Sequence, residues 1–298
     1  MYRTSVILRH TFIEAVVQPI YSLLVALGAA VLIVFGMLPF FTLGEDTVMY
    51  KSVALDVVLL LVLVITLFAT SKSIFDEIED RTMLTLMSKP IRRWEVLVGK
   101  YLGIVLAALL AVAILGGLIL LCTWSRIPTD YQLRPWTLDD RELKQIHDLR
   151  IMHLAGLVPS LVLVWLQISV LAAIGVALST RFSLVVNLPT VILLYIAGNL
   201  TRFLYPLADD ASALRRGFAY TASTLLPYLE VFDIRHQTIY HDIAVGGSRA
   251  AAANNAVTLG AIWLYIAIAA GYGIAYAAFA LSAGMWLFQT RELGGNEG

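Results

Sequence analysis

The densest run of chemically capable side chains lies between residues 75 and 100. It reads Phe75-Asp76-Glu77-Ile78-Glu79-Asp80-Arg81-Thr82-Met83-Leu84-Thr85-Leu86-Met87-Ser88-Lys89-Pro90-Ile91-Arg92-Arg93-Trp94-Glu95-Val96-Leu97-Val98-Gly99-Lys100. Its chemistry is recognition rather than bond-making. Thr82 can cap a short helix. Met83, Leu84, Leu86 and Met87 give that helix an apolar side, and Pro90 stops it. Ile91, Trp94 and Leu97 then lead back to apolar sequence. A short helix with apolar knobs, flanked by both charge signs, suits docking into a cleft of a soluble partner. It equally suits an interfacial helix that only anchors a loop. The residues alone leave both open.

Other candidates are sparse. The chain has no His-Glu-x-x-His, no Gly-x-Ser-x-Gly and no phosphate-binding glycine loop; Gly99-Lys100 is followed by Tyr101 and lacks the upstream glycine. Asp56 falls in an apolar stretch, where a carboxylate is expensive and often functional. It is read here as sitting at interface depth or capping a helix. Gln167, Asn187 and Asn199 read as interhelical hydrogen-bond partners. His236 and His241 bracket a polar stretch with Asp233 and Asp242, but a spacing of five does not put two histidines on one helical face. A solvated loop is the default there, with metal binding the sharper alternative. The single cysteine, Cys122, allows no internal disulfide and reads as a packing residue.

These residues interrupt a chain of unusual apolarity. The hydrophobic fraction is 59% and the mean hydropathy +0.81, with 14% charged residues. Soluble domains carry about 25% charge. Apolar blocks cover about 18–41, 53–70, 101–122, 154–179, 184–204 and 257–288. A helix needs roughly 20 residues to cross the hydrocarbon core, and lipid forces each crossing to be helical. The expectation is an all-α integral membrane protein, a six-helix transmembrane bundle forming one domain over 1–298. The first block is longer than a signal peptide and has no small-residue cleavage pattern after it, so it should be retained. Zero net charge implies no nucleic-acid partner.

Around the spans, residues 1–17 suit an amphipathic interfacial helix with Val6, Ile7, His10, Ile13 and Val17 on its apolar side. Pro19 suits the first turn of span one. A loop is expected over 42–52. Span two should continue as a polar helix through 71–80. Within the outer segment 123–152, residues 138–151 read as a separate surface helix after a capping box at Thr137. Four residues, 180–183, join spans four and five as an antiparallel hairpin. The segment 205–256 contains an interfacial or re-entrant element at 225–232. The last block is too long for one upright crossing and should tilt or extend past the bilayer. Its rows Ala267, Gly271, Ala275 and Ala269, Gly273, Ala277 suit close helix packing, within the chain or against a second copy. Lys72, Arg81, Lys89, Arg92, Arg93 and Lys100 after span two, with Arg3 and Arg9, put both termini and 71–100 in the cytoplasm.

The 75–100 segment resembles the cytoplasmic loop of type-2 ATP-binding-cassette (ABC) exporter permeases. The matching residues are Glu77, Glu79, Thr82, Leu84, Leu86, Ser88, Pro90, Arg93, Gly99 and Lys100. Arg81 departs from the glycine that many members have before the Thr. The layout of interfacial helix, six spans and an outer segment before span six is similar too. The run 226–232 resembles the branch of multicopper-enzyme-maturation permeases. The resemblance implies a permease without its own ATPase motif, in a bacterial cytoplasmic (inner) membrane. It moves substrate outward using ATP hydrolysed by a separate ATPase subunit. ATP and Mg would bind that partner, with no cofactor on this chain. A second permease copy or paralogue would complete the path. Glu77, Glu79, Arg81, Thr82, Leu84, Met87, Pro90 and Arg93 would form the ATPase-coupling site. Two rival classes are an assembly or regulatory subunit that docks an ATPase without moving solute, and a metal- or cofactor-handling membrane enzyme. The few polar groups in the spans lean toward a lipid-like or amphipathic cargo.

Overall fold

A computed structural model describes residues 2–38, 46–79, 92–130, 140–200, 226–239, 243–244 and 257–289. Seven helices organise them: α1 (Tyr2–Val17), α2 (Pro19–Met37), α3 (Asp46–Thr70), α4 (Arg93–Asp130), α5 (Asp140–Ser179), α6 (Leu184–Leu200) and α7 (Leu259–Gln289). Helix α3 runs without a gap into a π-helical turn, Ser71–Asp76, and a last α-turn, Glu77–Glu79. A 3₁₀ turn, Leu229–Phe232, and a short helix, Arg235–Thr238, precede α7.

Among the described residues, five helices are long and apolar enough to cross a membrane: Pro19–Met37, Thr47–Glu79, Arg93–Ile127, Ile146–Ser179 and Leu259–Gln289. Helix α6 is apolar but has 17 residues, about 25 Å of helix. The described fold is helical apart from one two-residue parallel pairing, Ile243–Ala244 with Val257–Thr258.

Several helices are longer than their apolar blocks. Residues 46–52, expected in a loop, are the first turns of α3. The described part of the expected surface helix over 138–151 is the first quarter of α5, with no break before the apolar part. Helix α4 overruns its block at both ends. Hydropathy marks where lipid begins, whereas backbone hydrogen bonding carries a helix past that point wherever side chains find partners. Lys51 shows this. It is 1% exposed, and its Nζ lies 2.9 Å from His153 Nδ1 on α5. The ammonium donates, so that ring nitrogen accepts.

Helices α3, α4 and α5 form the centre. Leu55, Val58 and Val62 on α3, Ala111 and Leu115 on α4, and Leu171 and Val176 on α5 are fully or almost fully buried. Tyrosine hydroxyls tie the helices by donating to main-chain carbonyls: Tyr21 to Ala107, Tyr50 to Leu32, and Tyr101 to Ser169. Arg126 of α4 donates to the carbonyls of Phe35, Gly36 and Leu38, which caps the end of α2. Helix α7 lies along α5. A Cβ at Gly284 would stand 2.7 Å from the Ala177 Cα, so the backbones touch. Ala269, Gly273 and Ala277 form the buried row of α7, while Ala267, Gly271 and Ala275 are exposed. The final block is one unbroken helix of 31 residues. The hairpin between α5 and α6 turns at 180–183, as the spacing predicts.

Helix α1 forms where the sequence places it, but its buried stripe differs. Ile7, Thr11 and Ala15 pack on α4, while Val6, Ile13 and Val17 are exposed. Both stripes have helical spacing. The approach to α4 selects the one that meets two glycines.

Candidate functional site

Those glycines open the site. A Cβ at Gly99 would lie 2.9 Å from Ile7 Cγ2, and one at Gly103 would lie 2.7 Å from the Leu8 carbonyl oxygen. No larger residue lets α1 come so close. The first turns of α4 are themselves fixed by Glu95, whose carboxylate accepts from the Arg92 N–H at 3.0 Å.

Next to Gly99, Lys100 reaches across to the segment that leaves α3. Its Nζ is 2.7 Å from Glu77 Oε2, and it also donates to the Ser73 carbonyl and to Ser73 Oγ. The ammonium side chain is 4% exposed, so its three donors are spent on these three acceptors. The second tie is Asn187 of α6. Its Nδ2 donates to Ser71 Oγ, the Gly175 carbonyl and Ser179 Oγ. The π turn is thus held on both sides by buried polar contacts. A π turn widens the helix by one residue and is frequent at functional positions. Arg93 supplies the third tie. Its Nη1 donates to the Phe288 carbonyl at 3.0 Å, and its guanidinium lies over the Phe288 ring. A cation at that C-terminal turn also suits the helix dipole.

The two chain ends that flank 80–91 are therefore rigidly seated on α1, α6 and α7. Of the residues expected to form the coupling site, Glu77 turns inward to Lys100, Glu79 is exposed, and Arg93 secures α7. Arg81, Thr82, Leu84, Met87 and Pro90 lie outside the described residues. The sequence reading missed Ser71, Ser73 and Phe288, which carry no motif signal.

At the opposite end of α3 a second polar site appears. Asp56 Oδ1 is 2.6 Å from Arg235 Nη1, and Arg235 Nε is 3.5 Å from Asp233 Oδ1. Asp56 is therefore not a helix cap, since α3 begins ten residues earlier, at Asp46. The element that presents Arg235 is wedged between helices. Leu229, Phe232 and Ile234 are buried, and Tyr265 Oη donates to the Val231 carbonyl. The Tyr228 N–H donates to Tyr272 Oη, and Ser160 and Thr238 share a hydroxyl hydrogen bond. Residues 226–232, the described part of the element expected at 225–232, thus pack against α5, α6 and α7. Beside the ion pair is a cavity of about 80 Å³ that Gln167, Tyr195 and Asn199 help to line. It has room for a few waters and not for a cargo. Asn199 bonds the Tyr195 carbonyl of its own helix, so the interhelical role fits Asn187 and not Asn199. His236 is exposed on the short helix, and His241 lies outside the described residues. Among the described residues no three His, Cys, Asp or Glu side chains converge as a metal group.

A bundle in which five helices are long and apolar enough to cross a membrane defines a multi-pass membrane protein. The chain belongs to the ABC-2 transporter family: residues 5–293 match the family described as ABC-2 family transporter protein. It is thus the membrane component of an ABC transporter, a permease without an ATPase domain, and membership implies an ATPase partner. No curated protein matches the chain.

Proposed function

We propose that this permease exports a substrate from the cytoplasm, driven by ATP hydrolysed on a separate ATPase subunit that grips residues 80–91. The observation that supports this most is the seating of that segment. Its two flanks are tied to each other through Lys100 and Glu77, and they meet α1 at Gly99, α6 through Asn187 and α7 through Arg93, so a push on 80–91 would reach three helices together. The apolar side of 82–87 enters the ATPase groove, and Glu79 and Arg81 set its angle. Glu77 acts from within, through Lys100. Helix α6 completes a six-span bundle, and both termini and 71–100 face the cytoplasm of a bacterial inner membrane. A second permease copy or paralogue faces this one across the path. The run 226–232 favours the multicopper-enzyme-maturation branch, and the apolar spans favour a lipid-like cargo.

The test is a pair of charged substitutions, Leu84→Glu with Met87→Glu. Co-purification with the ATPase should be abolished while membrane insertion stays intact. Unchanged complex formation overturns the docking role. ATP-dependent solute movement into inverted vesicles separates an exporter from an assembly subunit.

A further inference from the structure

An apolar groove of about 800 Å³ runs between α2, α4 and α5. Its α4 wall is Ile114, Gly117, Leu121 and Trp124, and its α5 wall is Leu154 and Val158. Gly117 opens it, because a Cβ there would meet nothing within 4 Å. Leu121 is 69% exposed, so the groove faces outward. From Ile114 to Trp124 it extends about 15 Å at 1.5 Å per residue. That is about half of a hydrocarbon core roughly 30 Å thick, or the depth of one leaflet.

The end of the groove away from the coupling segment carries a cation. Arg150 lies on α5 one turn before Leu154 and two before Val158, in the same helical row. Its guanidinium stacks over the Trp124 ring, 4.5 Å from the centroid. Among the described residues it makes no hydrogen bond or ion pair, and its Nε is buried without a partner. Among the described residues, Lys51, Lys100, Arg126 and Arg235 all have acceptors. A stacked guanidinium whose donors meet no acceptor among the described residues matches a phosphate, which it can bind through two parallel hydrogen bonds. Tryptophan beside it also favours that level.

We propose that the groove is a binding site for one phospholipid of the leaflet away from the coupling segment, with an acyl chain along 114–124 and the phosphate on Arg150. This reading is independent of what the transporter carries. The lipid would fill the seam between α2 and the α4–α5 pair, and so join the most exposed span to the core.

Native mass spectrometry of the full chain, extracted in mild detergent, reads the site directly. The wild type should retain one phospholipid per chain. Arg150→Gln should lower that retention about tenfold, the loss expected for a charged hydrogen-bond donor. Gly117→Leu should lower it as well by filling the groove floor, and Arg150→Lys should keep part of it. Thermal melting separates the sources of the chemistry. Added phosphatidylglycerol should raise the melting temperature of the wild type and not of Arg150→Gln. Inorganic phosphate or a headgroup-free hydrocarbon should raise neither. Equal retention by wild type and Arg150→Gln, no retained lipid, or equal stabilisation by phosphate or hydrocarbon alone overturns the proposal. If Gly117→Leu fails to fold, the Arg150→Gln comparison still decides.

Discussion

The two ends of α3 and its extension carry ion pairs that look alike on paper and differ in physics. At the coupling end, Lys100 is almost fully buried and meets Glu77, which is 26% exposed. At the far end, Arg235 is 18% exposed and meets Asp56, which is 51% exposed. Burial removes solvent screening from the first pair and leaves much of it on the second. The coupling end is therefore built as a fixed joint. The far end is built as a contact that water can replace. A bilayer's thickness, roughly 30 Å of helix, separates Asp56 from Glu77.

The contrast can be tested in descending order of effect. Lys100→Met keeps the length of the stem but removes the cation that faces Glu77 and the donor to both Ser73 acceptors. Its unfolding free energy should fall by about 3 kcal/mol, as when one partner of a buried pair is removed. Thermal melting in detergent checks this, and ATP-driven transport should fall with it. Gly103→Val drives a side chain into the Leu8 carbonyl. It should cost about 2 kcal/mol by overpacking, and limited proteolysis should cut within α1 sooner than in the wild type. The smallest effect should come from Asp56→Asn. A half-exposed pair is worth about 1 kcal/mol or less, and a double-mutant cycle with Arg235→Gln reads it. A coupling energy at Asp56–Arg235 as large as that at Lys100–Glu77 would erase the distinction between joint and contact.

Much of this architecture was written in the apolar blocks. The five long helices, the α5–α6 hairpin and the continuation of α3 past Ser71 follow from hydropathy and from the tight polar link. Helix ends did not follow, because Lys51 enters its helix through a partner distant in sequence, His153. The choice of buried stripe on α1 did not follow either. Two apolar stripes were present, and the decisive residues, Gly99 and Gly103, lie on another helix. For the site, the motif drew attention to 75–100; in the described flanks of that stretch Lys100 meets Glu77, while Arg81, Thr82, Leu84, Met87 and Pro90 lie outside the described residues. It could not assign Glu77 an inward role. That needs the position of Ser73 and Lys100 across a π turn, and nothing in the residue types marks such a turn. Asp56 was visible as an anomaly, but its partner lies 179 positions away at Arg235.

The lengths of α4 and α5 have a mechanical consequence. With 38 and 40 residues they measure close to 60 Å, about twice the hydrocarbon thickness. They run antiparallel and share a packed waist near Ala111, Leu115 and Leu161. A rigid pair of that length would act as a lever with its fulcrum in the lipid. The base that holds Lys100 and the tip that carries Arg150 sit on opposite arms. A small tilt imposed at the base is returned at the tip with opposite sign. Both arms would reach the headgroup layers, the base at one leaflet and the tip at the other.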